Sequence, residues 1–402
     1  MTLKILQFVP ESLPTFRADV ATLFGKYMPR HGVVCDIVGK PSREPEAVQG
    51  FARARRPQWR GSRAQRELQY VLLCVRAMLS ASREEHAAVQ VRDMVTIGLL
   101  GLAVSRWKKI PFYYWVSYLM CEGRIENARA SLARRKSLRN HLVLLKGKVE
   151  RVLLYKVVLP AADHVFVQSD AMLGYMEAKG VPAHRMTSVP MGVDMETLRN
   201  RVICPSRLPG WEGVPVVGYL GTLDGARNLE RVVDAMCIVR KTLPAARLLL
   251  IGNSPLPDDE TRLLAYAAGK GLDGEAIRIT GWLPSTEAWQ LLAASDVAVS
   301  YIPRGQLYDV SSPTKLLEYL ALGIPAVGND TPDQDYVLQR SQAGWLTAST
   351  PEAMAEALLA ILGDPSAARA RAAVGPAFIE QERSYQVLAE KVAGRYQQLQ
   401  ER

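Results

Sequence analysis

The chain has 402 residues, more than one hydrophobic core usually supports, so at least two domains are expected. Its composition, 48% hydrophobic and 22% charged, excludes a disordered or collagen-like chain. The net charge of +10 is unevenly divided. Residues 1–200 hold 31 Lys and Arg against 17 Asp and Glu, which is +14, and the remainder holds 19 against 23, which is −4. The two halves are therefore expected to bind different partners.

Five scattered cysteines form no CxxC pair and no cluster with histidine at metal-ligand spacing, which favours a reducing compartment without structural zinc. The apolar run 3–9 is too short and too polar for a secretion signal. The longest uncharged apolar stretch, 94–104, is about half the ~20 residues of a membrane-spanning helix. We therefore expect a cytoplasmic protein that at most lies on a membrane.

Short aliphatic runs alternate with helical patterns along the whole chain, most regularly after residue 214. This alternation is typical of parallel sheets covered by helices on both faces. The predicted strands of the first half are 3–9, 33–38, 88–91, 111–115, 164–168 and 186–189, with helices at 15–27, 94–107 and 169–179. The predicted strands of the second half are 214–220, 247–251, 277–280, 297–300, 325–328 and 344–347.

The polar segment 196–215 contains three prolines and is the predicted interdomain linker. The predicted fold is α/β, with two doubly wound, Rossmann-like domains, 1–200 and 201–375, that face each other across a cleft. A charged helical pattern at 376–402 predicts a C-terminal helix that packs back across the junction. Such sheets bind ligands at the carboxyl ends of their strands, so functional residues are expected in the turns that follow strands.

One predicted helix begins with features that suit a phosphate. Ser312 is its expected N-cap and Pro313 its first residue. The free N–H groups of a helix start attract anions, and Lys315 adds a full charge at the same end. Glu318 follows on the same face. An ordinarily capped helix with a weak surface ion pair explains the pattern equally well.

The run Ser-Pro-Thr-Lys-Leu-Leu-Glu-Tyr-Leu-Ala-Leu-Gly-Ile-Pro-Ala-Val at 312–327 resembles the donor-binding segment of family 4 retaining glycosyltransferases. These enzymes have the two-domain GT-B fold. The resemblance extends over most of the chain, since further motifs occur at the expected spacing. These are 161–169, 189–194, 218–229, 248–253, 281–284 and 294–299.

The resemblance implies that the second domain holds a nucleotide sugar, with no cofactor and no metal. Of the family's two glutamates eight positions apart, Glu318 matches the second, which contacts ribose. Val310 stands at the first, and the adjacent Asp309 is the candidate substitute. Arg227 and Lys315 are predicted to stabilise the departing diphosphate, so with Asp309 they are the predicted catalytic residues. The other predicted donor-binding residues are Tyr219, Gly221, Gly252, Trp282, Leu283, Ser312, Pro313 and Thr314.

Three of these assignments have plain alternatives. Arg227 could be an exposed helix-start residue, Asp309 a solvated loop residue and Trp282 a core residue. The sequence Asp333-Gln-Asp335 looks like the metal-binding DxD of the other glycosyltransferase fold. It lies at a predicted helix start where the GT-B resemblance implies no metal.

The first domain departs from the family at two places. The usual glycine pair after the first strand is replaced by the segment 10–19, and the usual histidine after the strand at 111–115 is replaced by Ser117. Both regions are expected to face the acceptor. The predicted acceptor-binding residues are Phe16, Arg17, Ser117 and Tyr118.

Two basic tracts account for the charge of the first half. Six arginines between residues 53 and 66 surround Trp59 without an acid among them, and nine basic residues between 129 and 156 accompany one acid, Glu150. In the second tract, apolar residues at helical spacing predict a helix with an apolar stripe and cationic flanks; they are Leu138, Leu142, Leu145, Val149 and Val152. Such a helix either lies on an anionic membrane or buries its apolar stripe in the domain core, and we favour the membrane.

The sequence thus predicts a retaining, hexosyltransferase-type enzyme that moves a sugar from a nucleotide sugar to a lipid-linked or other saccharide acceptor. The expected process is surface polysaccharide synthesis, at the inner face of the cell membrane. A GT-B nucleotide-sugar epimerase is one alternative. A basic nucleic-acid-binding protein is another, but no recognisable nucleic-acid module is present and no such partner is expected.

Overall fold

The computed structural model describes residues 2–43 and 46–401. The chain forms two compact units, Met1–Met191 with Tyr385–Arg402, and Gly192–Ser384. The first part of the first unit therefore ends before the predicted domain boundary at 200. Its second part begins at Tyr385, after the predicted start of the C-terminal helix at 376. The reason is a bridge within the second unit, because Val193 pairs with Ser384 and draws the segment from 192 onward into it.

The first unit is built on a parallel sheet in the order β3-β2-β1-β4-β5-β6-β7. Its strands are β1 (Leu3–Ser12), β2 (Val33–Lys40), β3 (Arg53–Arg55), β4 (Ala88–Arg92), β5 (Phe112–Val116), β6 (His164–Val167) and β7 (Met186–Ser188). All of these strands were predicted except β3. Strand β3 lies at the sheet edge with Arg53 and Ala54 exposed, so it carries no apolar pattern that would reveal it.

Helices cover this sheet on both faces. They are α1 (Ala18–Ala21), α2 (Arg63–Ser80), α3 (Val95–Lys108), α4 (Met120–Arg134), α5 (Leu138–Leu153), α6 (Leu159–Ala161), α7 (Asp170–Ala178) and, at the C-terminus, α18 (Tyr385–Gln400). The single helix predicted at 15–27 is wrong. The structure has the short α1, a π-helical turn at Leu23–Tyr27 and a 3₁₀ turn at Met28–His31 that contains Pro29.

The second unit has a parallel sheet in the order β10-β9-β8-β11-β12-β13. Its strands, all predicted within two residues at each end, are β8 (Val216–Leu220), β9 (Arg247–Ile251), β10 (Ile277–Ile279), β11 (Val297–Ser300), β12 (Ala326–Asn329) and β13 (Trp345–Thr347). Its helices are α8 (Met195–Arg199), α9 (Glu230–Thr242), α10 (Pro257–Gly269), α11 (Ser285–Ala293), α12 (Gln306–Asp309), α13 (Thr314–Ala321), α14 (Pro332–Ser341), α15 (Pro351–Gly363), α16 (Pro365–Ala372) and α17 (Gly375–Phe378).

Each unit has its own hydrophobic core. In the second unit, the aliphatic strands of the sheet pack against α9 and α15. In the first, the aromatic side chains of β5 and β6 pack against α18, where Tyr396 stacks on Phe166 with ring centroids 4.9 Å apart. The C-terminal helix is therefore part of the first core. No described helix combines the length and apolar character that crossing a bilayer requires.

The strand orders fix where ligands are expected. In a doubly wound sheet the order reverses at one point, and the crevice outside the carboxyl ends of the strands there is the usual binding site. This reversal lies between β1 and β4 in the first unit and between β8 and β11 in the second. We call these two places the first and the second switch point.

Candidate functional site

A cavity of about 460 Å³ opens at the second switch point. Its walls are the turns that follow β8, β9 and β10, together with α11 and the first turns of α13. Most of the predicted donor-binding residues meet in it. The lining residues are Leu220, Gly221, Thr222, Arg227, Ile251, Gly252, Asn253, Trp282, Leu283, Ser285, Ala288, Trp289, Thr314, Lys315 and Glu318.

The side chain of Lys315 lies across the turn that follows β8, against Gly221. Gly221 has φ +148°, a conformation that other residues rarely adopt, and a Cβ at this position would overlap with Cε of Lys315. The ammonium group then lies 5.2 Å from the centroid of the Tyr219 ring. The backbone conformation thus favours glycine at position 221, and any larger residue would displace the end of the Lys315 side chain.

Two cations share the cavity. Arg227 ends a 3₁₀ turn that Asp224 caps, and its Nε lies 3.6 Å from the Asp224 carboxylate and forms no hydrogen bond with a described residue. Burial, reinforced by the charge of Arg227, lowers the pKa of Lys315 to about 7. Asp224 pairs with Arg227 through one longer contact only, and Lys315 is buried beside this cation, so an anion in the cavity would stabilise both groups.

Glu318 lies one turn after Lys315 on α13 and lines the same cavity. Burial raises the pKa of its carboxyl group to about 7, against a hydrogen bond from Trp289 and the charge of Lys315, which both lower it. Trp289 was not predicted. Its only signal in the sequence is its place on the helix that follows the Trp282-Leu283 turn.

Tyr319 fixes α13 to the sheet. It is fully buried, and its hydroxyl accepts a hydrogen bond from the backbone N–H of Leu220 at 3.0 Å. The same hydroxyl lies 3.4 Å from the carbonyl oxygen of Val299 on β11. Because Tyr319 joins α13 to both strands of the switch point, it holds Lys315 and Glu318 in register with the glycine turn.

Several predicted residues lie elsewhere than expected. Ser312 does not cap α13, because its hydroxyl donates to the Asp333 carboxylate at 2.8 Å, and Pro313 occupies the N-cap position without a side-chain bond. Tyr219 is buried beneath the cavity and its hydroxyl donates to the carbonyl of Thr222. Asp309 lies outside the cavity lining, where Arg304 binds it at 2.7 Å.

The Asp333-Gln-Asp335 sequence has structural partners. Asp333 is buried and accepts hydrogen bonds from Ser312 and, at 2.7 Å, from Arg383. Asp335 accepts one from Gln339 on the same helix at 2.7 Å. Both carboxylates are thus engaged at the start of α14.

The first switch point has a different chemistry. Arg92 ends β4, is fully buried, and contacts Asp19 at 2.7 Å, Glu11 at 3.2 Å and Asp93 at 3.6 Å. Burial alone would lower the pKa of Arg92, but the negative charges of the three carboxylates raise this pKa above its usual value. Burial raises the pKa of Glu11 and of Asp93. This cluster was missed because its members follow different strands and form no local motif.

The predicted acceptor-binding residues surround this cluster. Asp93 holds Ser117 in place. The carboxylate of Asp93 accepts hydrogen bonds from the backbone N–H of Ser117, at 2.8 Å, and from the Ser117 hydroxyl. Arg17 lies 3.4 Å from Asp19. Phe16 is 97% exposed, and Tyr118 is partly exposed near the end of β5. All four lie in the segments that follow β1 and β5, and their acceptor role stays a prediction.

The chain resembles known proteins in its second unit. Residues 214–364 match the family model described as glycosyl transferases group 1. This match lies entirely within the second unit. The whole cavity at the second switch point lies within the matched region, so the residues that line it form the candidate site.

A curated protein is similar to about half of the chain. The putative colanic acid biosynthesis glycosyltransferase WcaL of Salmonella typhimurium is 26% identical over 211 residues, which are 52% of this chain and 49% of that protein. The chain therefore spans about half the length of the curated relatives it matches.

Solved structures match the whole chain and confirm the predicted GT-B fold. Sucrose-phosphate synthase from Thermosynechococcus elongatus superposes with a TM-score of 0.71 and 17% identity, over 99% of each chain. HepE from Anabaena, in complex with UDP-glucose, gives a TM-score of 0.67 and 16% identity over 98% of this chain and 100% of that one. At this level of identity the likeness shows the fold alone.

Proposed function

We propose that this protein is a retaining glycosyltransferase that transfers a sugar from a nucleoside diphosphate sugar to a lipid-linked saccharide during surface polysaccharide synthesis. The observation that carries the proposal is the cavity at the second switch point, where Arg227, Lys315 and Glu318 converge. The names of its relatives are consistent with this role, since one is attributed to colanic acid biosynthesis and HepE was crystallised with UDP-glucose.

The residues that line the cavity suit the nucleotide part of such a donor. The two cations suit the diphosphate, and Glu318 suits the ribose hydroxyls, because an ionised carboxylate accepts two hydrogen bonds from vicinal hydroxyl groups. The exposed Trp282 and the neighbouring Asn253 border the space left for the base. Gly221 and Gly252 let the ligand come close to the backbone of their turns because neither carries a side chain.

The chemistry follows from where charge develops. As the bond between the anomeric carbon and the phosphate oxygen breaks, negative charge grows on the diphosphate, and Arg227 and Lys315 stabilise it. The acceptor oxygen forms the new bond to the anomeric carbon on the same face, and its proton passes to the departing phosphate oxygen. This route needs no protein nucleophile, and Asp309, which Arg304 already binds, is left as a prediction for the sugar contact.

A transfer assay tests the proposal. The protein is incubated with a panel of UDP-, GDP- and ADP-sugars, with and without a bacterial membrane extract. We expect one donor to release nucleoside diphosphate only when the extract is present. Conversion of a donor into its epimer without acceptor would indicate the epimerase instead, and release from no donor would overturn the proposal.

Variants locate the activity. Glu318→Ala is expected to abolish release without lowering the melting temperature, whereas Lys270→Ala is the matched control. Lys270 is an exposed cation of the same unit that pairs with Asp234, away from the cavity. Equal rates in both variants would show that the donor site lies elsewhere.

The membrane part of the proposal depends on α5. Its apolar stripe is not buried in the core, because Leu138 is 77% exposed and Leu142 and Leu145 are 57% exposed each. The opposite side of α5 packs on α4, where Gly147 allows the close approach to Ile125. Helical spacing places Arg139, Lys146 and Lys148 beside the exposed stripe. An apolar stripe with cationic flanks suits the surface of an anionic bilayer.

Vesicle sedimentation tests this contact. We expect binding to vesicles that contain phosphatidylglycerol and little binding to phosphatidylcholine alone, since each cation near an anionic surface contributes about 1 kcal/mol. Leu142→Glu should release the protein from the vesicles. Leu264→Glu, at a partly exposed leucine of α10, should not. Equal binding of both variants would exclude α5 as the contact.

A further inference from the structure

A second and larger cavity, of about 750 Å³, lies in the second unit at the opposite edge of the sheet. Asp296 and Pro325, which immediately precede β11 and β12, line it, so it opens at the amino ends of the strands. It shares no lining residue with the cavity at the second switch point. The proposed transfer reaction therefore makes no use of it.

The walls of this cavity come from two distant parts of the chain. Leu198 and Ile203 belong to the segment that enters the second unit, and Pro376 to the segment that leaves it. Ile324 and Ala294 form the wall on the side of the sheet. Most of the lining is thus aliphatic, and its volume lies in the range of about 300–1,000 Å³ that is usual for small organic ligands.

Five charged residues line the cavity, and two pairs of them are neutralised. Arg207 binds Asp296 through two contacts of 2.9 and 3.0 Å, and Arg199 lies 3.3 Å from Glu380. Arg369 on α16 is exposed, and its guanidinium forms no ion pair or hydrogen bond with any residue of the described ranges. The cavity therefore carries one surplus positive charge beside an apolar wall.

We propose that this cavity is a binding site for a small organic monoanion, with its acidic group at Arg369 and its apolar body against Leu198 and Ile324. A ligand in this position contacts both the entering and the leaving segment of the unit. It therefore stabilises the second unit by binding the folded state alone. The site is independent of the donor site, so the inference stands or falls separately from the proposed transfer activity.

Calorimetric titration of the full chain with octanoate and with octan-1-ol tests the proposal, because the two probes share a tail and differ in charge. We expect wild type to bind octanoate at least tenfold more tightly than octan-1-ol. Arg369→Met should remove this preference. Arg371→Met is the control, since Arg371 is on the same helix but binds the carbonyl of Gln342 and stacks on Trp345 outside the cavity.

A second variant tests the location rather than the charge. Ala294→Phe, at the end of α11, should fill the cavity and abolish octanoate binding while leaving nucleoside diphosphate binding unchanged. No octanoate binding by wild type, equal affinities for the two probes, or an unchanged preference in Arg369→Met would each overturn the proposal.

Discussion

The two switch points occupy equivalent places in equivalent sheets but hold opposite arrangements of charge. At the first, one arginine is buried among three carboxylates, and each of them contacts it. At the second, two cations converge on an open cavity, and burial lowers the pKa of Lys315. Charged groups at equivalent strand ends can therefore either pair with one another or remain available to a ligand. We therefore expect Arg92 to govern stability and Lys315 to govern binding.

The largest expected effect is on stability at the first switch point. Arg92→Met leaves Asp19, Glu11 and Asp93 without their central cation, and breaking a buried ion pair in this way costs about 3–5 kcal/mol of the free energy of unfolding. Lys315→Met should leave this free energy nearly unchanged, because burial already disfavours the charge of Lys315. Urea denaturation of both variants measures the contrast. Comparable losses in both would contradict it.

The next effect concerns the path of Lys315. Gly221→Ala introduces a Cβ where the lysine chain crosses and strains a backbone with φ +148°. We expect nucleoside diphosphate affinity to fall by at least about tenfold, or 1.4 kcal/mol. Gly174→Ala is the control, since no atom lies within 4 Å of the added Cβ and the helical position favours alanine. Calorimetric titration of both variants provides the test, and an unchanged affinity in Gly221→Ala would show that Lys315 does not bind the ligand from this position.

The smallest expected effect is the uptake of a proton when a diphosphate binds. Lys315 has a pKa of about 7 in the empty cavity, so it is mostly neutral at about pH 8, and a bound diphosphate raises this pKa. Binding at about pH 8 should therefore take up as much as about one proton, and affinity should fall as pH rises above 7. Glu318, whose pKa is also about 7, is mostly ionised at this pH in the empty cavity.

Titration in buffers of different ionisation enthalpy measures this uptake. Lys315→Arg provides the control, because a guanidinium stays protonated and should bind without uptake. Wild-type binding heats that do not depend on the buffer would contradict a neutral Lys315.

Much of the fold could be predicted from the sequence because buried parallel strands are continuous aliphatic runs between turns. Strands β9 and β11 were predicted to the residue for this reason. Strand β3 could not be, because an edge strand with Arg53 and Ala54 exposed needs no apolar pattern. The helix at 15–27 failed because tertiary packing around Phe24 and Tyr27 imposes π and 3₁₀ turns that periodicity does not reveal.

The candidate site was partly predictable for a related reason. Lys315 and Glu318 lie one turn apart on a helix start, so their joint role is visible in the local sequence. Trp289 and the Arg92 cluster were missed because their partners are distant in sequence and meet only through the sheet. The N-cap prediction for Ser312 failed because Asp333, on the next helix, competes for its hydroxyl.

The central claim is that Arg227 and Lys315 hold a diphosphate at the second switch point. The most direct measurement is calorimetric titration of UDP, GDP and ADP into wild type and into the double variant Arg227→Ala/Lys315→Met. We predict that at least one nucleotide binds wild type, and that the double variant loses about 100-fold or more in affinity, or about 2.7 kcal/mol, at an unchanged melting temperature. Binding that survives in the double variant, or no binding of any nucleotide to wild type, would contradict the account.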